Sequence, residues 1–119
     1  MSNVNSLHEG LAYGLATAGA AITAGQVVKL SGNDVLIPAA SATAAVLGIA
    51  KYDCADEDQP VVLVGPGVYE TDVYVGNPTA GVELACDAST SNLKVAGGGE
   101  RVIAQCLSCS GGVLRFKMI

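Results

Sequence analysis

The chain has 119 residues, enough for one domain whose core needs no disulfide or metal staple. A net charge of −5 with only six Lys and Arg is the wrong sign for phosphate binding, and no run of about 18 apolar residues offers a spanning helix, so neither nucleic acid nor membrane is an expected partner. Half of the residues are apolar yet only 4% are aromatic, and 14% are charged against about 25% in an average domain, which predicts an aliphatic core and a charge-poor surface that tends to associate.

Residues 1–20 differ from the rest. They are polar to Gly10 and then rich in Ala and Gly, with Leu11, Tyr13 and Leu15 alternating with small residues. Gly10, Gly14 and Gly19 would each cost a helix about 1 kcal/mol, so an extended N-terminal arm or a first strand is expected over 1–20. The opening six residues lack a basic and then apolar leader, so no secretory signal is expected.

From residue 21 to 119 the chain reads as a single all-β domain, a compact β-barrel or β-sandwich. Short apolar runs at 26–30, 35–37, 45–50, 61–64, 68–75, 82–86, 93–95, 102–107 and 113–118 alternate with Gly, Pro, Asn and Asp clusters. Residues 38–45 are the only other place for a helical turn.

The runs repeat. Ile22-Thr23-Ala24-Gly25 recurs as Pro78-Thr79-Ala80-Gly81, 35–37 matches 93–95, 46–50 matches 101–105, and 61–64 matches 113–116. The expected units are 21–64 and 77–119, linked by a strand over 68–75. Gly25 and Gly81 suit a tight turn that needs positive φ.

Little here suggests chemistry. Cys106-Leu107-Ser108-Cys109 is a C-x-x-C, but it ends a predicted strand and does not open a helix, where redox pairs sit. Zinc would require Cys54 and Cys86 to converge on it. Free thiols are expected, with Cys54 and Cys106 near equivalent repeat positions. His8 has no recognisable nucleophile to serve. Asp53, Asp56, Glu57 and Asp58 lack the spacing of a calcium loop and read as a solvated loop. Gly97-Gly98-Gly99 has no following Lys-Ser/Thr and reads as a turn. The chain is therefore expected to be non-enzymatic, with no metal or cofactor.

The ordered motifs His8-Glu9-Gly10, Ala21-Ile22-Thr23-Ala24-Gly25-Gln26-Val27-Val28, Leu47-Gly48-Ile49-Ala50, Val61-Val62-Leu63-Val64, Gly67-Val68-Tyr69-Glu70 and Thr79-Ala80-Gly81 span most of the chain. In these the chain resembles the small all-β capsid decoration (cement) proteins of tailed bacteriophages; the four cysteines are not part of that pattern. The resemblance implies a virion protein, made in the host bacterial cytoplasm. It would bind the major capsid protein on the outside of the expanded head, as a homotrimer at capsomer junctions. Leu7, Leu11, Tyr13 and Leu15, apolar groups that a solvated tail would not need, are the expected capsid or subunit contacts. The rival readings are a β-sandwich module of a phage tail or fibre or of a bacterial surface protein, a thiol- or zinc-dependent protein, and a small-ligand-binding β-barrel.

Overall fold

The structure, a computed structural model, describes residues 16–119 and, before them, the backbone of the strands Val4–His8 and Leu11–Tyr13. It is all-β. The strands in chain order are β1 (Val4–His8), β2 (Leu11–Tyr13), β3 (Thr17–Ala18), β4 (Val27–Gly32), β5 (Val35–Pro38), β6 (Gly48–Ala50), β7 (Val62–Val64), β8 (Gly67–Thr71), β9 (Glu83–Cys86), β10 (Leu93–Val95), β11 (Ala104–Ser110) and β12 (Val113–Met118). Sheet A has the order β1-β8-β12-β11-β9-β10, and sheet B the order β2-β7-β6-β4-β5-β3. The sheets pack as a sandwich.

Sheet A reads as a one-sided sheet. Along β12, Leu114, Phe116 and Met118 are buried while Val113, Arg115 and Lys117 are exposed, the period of two that one buried face demands. At its centre sheet B is buried on both faces, so Val27–Val28, Gly48–Ala50 and Val62–Leu63 are continuous apolar runs. Val27, Ile49 and Leu63 join the inter-sheet core with Tyr69, Leu84, Leu93, Leu114 and Phe116. On the opposite face Val28, Leu36, Ala50 and Val62 pack against Ala16, Ala18 and Ile22. Each such aliphatic side chain contributes about 1.5–3 kcal/mol when fully buried.

The repeat is a property of the backbone. Strands β2, β7, β6, β4 and β5 of sheet B stand in the same order as β8, β12, β11, β9 and β10 of sheet A. Beyond them, the parallel pairing of Ala18 with Leu36 has its counterpart in the parallel bridge between Tyr74 and Leu93. Hydrogen bonds correspond as well. Gly25 N–H donates to the Ala50 carbonyl as Gly81 N–H does to that of Cys106, at 2.9 and 2.8 Å, and Leu47 N–H donates to Val28 as Ile103 does to Leu84. Gly25 and Gly81 both have φ of 91°, each the third residue of a turn closed by Gln26 N–H on Thr23 or by Val82 N–H on Thr79.

These correspondences correct the expected registers. Gly48 and Ile49 of β6 match Ala104 and Gln105 of β11, one residue from the expected pairing. Leu36 matches Leu93, and Val62 matches Phe116. Cys106 therefore corresponds to Ala50, and not to Cys54. Runs of Ala, Val and Ile can slide past one another in a sequence comparison without losing similarity; a hydrogen-bond ladder cannot.

The unit boundaries change too. The expected linking strand 68–75 is β8 plus the turn after it, where the Thr71 hydroxyl accepts the Val73 N–H at 3.1 Å. Since β8 is the counterpart of β2, the two units run over 11–64 and 67–118. Of the two readings of 1–20, the integral strand describes its end: Thr17–Ala18 pairs with β5, and Ala16 and Ala18 are buried. Of residues 38–45, the candidate helical turn, Pro38 ends β5 and 42–44 form bends, held where Arg101 N–H donates to the Ala42 carbonyl at 2.8 Å.

The units stack head to tail, not face to face. Val28, Leu36, Ala50 and Val62 correspond to Leu84, Leu93, Cys106 and Phe116, and the second set rests on the reverse side of sheet B. On that reverse side Val27, Ile49 and Leu63 are buried, whereas their counterparts Glu83, Gln105 and Lys117 are exposed. Polar residues on the outermost face end the stack, as they do in repeat proteins.

Candidate interaction surface

The four expected contact residues fall on or beside the first two strands. Leu7 lies in β1, a terminal strand of sheet A, and Leu11 and Tyr13 lie in β2, a terminal strand of sheet B. Leu15 and the side chains of all four lie outside the described residues.

β1 runs antiparallel to β8, with Val4 opposite Thr71 and Ser6 opposite Tyr69, and β2 runs antiparallel to β7. The other two sheet edges are covered by the chain itself. At β3, Ala18 N–H donates to the Asp58 carbonyl and Glu57 N–H donates to the Ala18 carbonyl, both at 2.8 Å. At β10, Val75 N–H donates to the Leu93 carbonyl at 2.9 Å.

Large apolar side chains also stand outside. Leu30 is 50% exposed, Tyr52 57% and Ile119 72%, and Val61, Val95, Leu107 and Val113 are exposed as well. The Lys51 ammonium lies 5.5 Å from the centre of the Tyr52 ring. None of them is among the expected contact residues Leu7, Leu11, Tyr13 and Leu15. Leu107 is exposed by a bulge: pairing slips between Cys106 and Ser108, so Leu107 and Ser108 both face outward and Cys109 returns toward the core.

The cysteines are all free. Cys86 and Cys106 are buried and Cys54 and Cys109 are half-buried. Burial first, and then a neighbouring acid or thiol, pushes the thiols of Cys54, Cys86 and Cys106 above their ordinary range. A reactive C-x-x-C needs the opposite shift. Cys109 hydrogen-bonds with the Tyr74 hydroxyl, which raises the phenol's pKa. Among the described residues, no three His, Cys, Asp or Glu side chains come together as a metal-holding group.

The acidic loop is exposed, and its backbone is what covers β3. Asp53 accepts the Ala24 N–H at 2.8 Å, which ties the loop to the Thr23–Gly25 turn. Two other carboxylates brace turns of the second unit. Asp87 accepts the Thr90 N–H and hydroxyl at 2.9 and 2.8 Å, and Glu100 accepts from Lys94 at 2.8 Å and from Gly97 N–H at 2.5 Å. Those bonds hold both carboxyls below the usual range. The Gly97–Gly99 stretch is thus a turn closed by Glu100. No helix among the described residues is long and apolar enough to cross a membrane. No protein-family model and no curated protein matches the chain.

Proposed function

We propose that the chain is a structural virion protein, a decoration protein that binds the major capsid protein on the outer surface of an expanded phage head. Three copies would meet at each capsomer junction, with no catalytic step, metal or cofactor. The observation that carries this reading is a charge-poor all-β body that keeps Leu30, Tyr52 and Ile119 outside its own core. Apolar groups left on such a surface gain from burial against a partner. The sequence motifs that resemble decoration proteins support the same reading.

The mechanism is linkage. A protein that binds the expanded lattice and not its ruptured products stabilises the lattice by mass action. Many copies held side by side act at high effective concentration, so weak single contacts suffice. The test is the temperature at which expanded heads release their DNA. Added protein should raise it in a saturable way; heads that open at the same temperature with and without the protein would refute the proposal.

A further inference from the structure

Four strands terminate the two sheets, and they are not alike. The edge of β3 is latched by Glu57 and Asp58, and that of β10 is covered by the segment of Tyr74 and Val75. Covering an edge in this way keeps other chains from pairing with it. The remaining terminal strands, β1 and β2, are consecutive in the chain and separated only by Glu9 and Gly10. Among the described residues each has a single neighbour, β8 or β7.

The internal repeat says what β2 is suited to hold. β2 is the counterpart of β8: Leu11, Ala12 and Tyr13 face Val64, Leu63 and Val62 as Gly67, Val68 and Tyr69 face Met118, Lys117 and Phe116. On its other side β8 accepts an antiparallel strand, β1. β2 has the same place in its own sheet, and among the described residues no strand fills the equivalent side.

We infer that the β2 edge is a strand-acceptor site for a second copy of this chain, whose β1 pairs with it through the side turned away from β8. Sheet A of one copy then continues into sheet B of the next. Main-chain hydrogen bonds supply the affinity, as in other strand-addition interfaces. The contact joins two different edges, so it is heterologous, and repeating it closes a ring when the rotation permits. This inference rests on the repeat and the sheet edges, not on the capsid reading.

The experiment follows the full-length protein by sedimentation and by backbone amide exchange over a concentration series. Mass should rise with concentration, and exchange at Val4–His8 and Leu11–Tyr13 should slow in step, while exchange in β3 and β10 stays constant. Ser6→Pro and Asn5→Pro each remove one N–H from β1 without shortening the chain. At least one of them should weaken association severalfold, up to about tenfold, the effect of losing one backbone hydrogen bond, while β4–β7 exchange stays native. A protein that remains monomeric at millimolar concentration would overturn the inference. So would association that protects β1 but not β2, which would mean like edges pair, or association that protects neither.

Discussion

Gly48 sits in the middle of sheet B, opposite Val28 on one side and Val64 on the other. Its backbone conformation is open to any residue, and in a strand Ala normally gains about 0.5–1 kcal/mol over Gly. Here a Cβ would overlap the Leu63 carbonyl oxygen and lie 3.0 Å from the γ-carbons of Val62 and Val64. The obstacle is the backbone of a paired strand, and β6 cannot retreat from β7 without disturbing β4. Overpacking of a core costs about 1–3 kcal/mol and at times more, so the overlap outweighs the propensity gain, and Gly48→Ala should destabilise by about 3 kcal/mol. With a urea m-value of about 1–3 kcal/mol/M, the unfolding midpoint should fall by about 1–3 M with m unchanged. Gly32→Ala is the control: its Cβ would meet nothing nearer than Val35 at 3.9 Å, and its midpoint should hold or rise. Equal midpoints for Gly48→Ala and the unaltered protein would refute the close approach of β6 and β7.

The exchange of corresponding residues tests the stacking. Leu63→Lys puts an ammonium into the inter-sheet core and should cost about 4 kcal/mol or more, whereas Lys117→Leu should change stability by within about 0.5 kcal/mol but raise light scattering at high concentration. Cys106→Ala should lower stability by about 1–3 kcal/mol through packing alone, and chelator treatment of the unaltered protein should leave its thermal midpoint in place; stoichiometric zinc in the purified protein would contradict this. The lowered carboxyls of Asp87 and Glu100 contribute stability that is present above the ordinary carboxylate range near about 4 and is lost as pH falls through their folded values. Urea midpoints taken from pH 7 to 3 should therefore decline, and in Asp87→Asn the decline should be shallower.

Much of this fold is legible in the sequence, because its cause is local. Gly25 and Gly81 announce turns that require positive φ, and the alternation along 113–118 announces a strand with one wet face. The register is less legible. Val27-Val28 and Glu83-Leu84 occupy the same positions, but one pair is buried on both faces and the other on one, so identity is lost where the backbone is conserved between the units. The exact limits of the repeat were hidden for a related reason: β8 reads as a linker until its pairing with β12 is set beside that of β2 with β7. The exposed apolar groups are harder still. Leu107 faces solvent because of a bulge, and Leu30 lies beyond Val27 and Val28, the part of β4 that pairs with β6; neither circumstance is written in the residue types.

The most direct test of the proposed role is cosedimentation of the purified protein with phage heads. The account predicts that it pellets with expanded heads, saturating at a fixed number of copies per capsomer junction, and stays in solution with unexpanded heads and with isolated tails. Protein that remains in the supernatant at every concentration of expanded heads, or that pellets with tails instead, would contradict it.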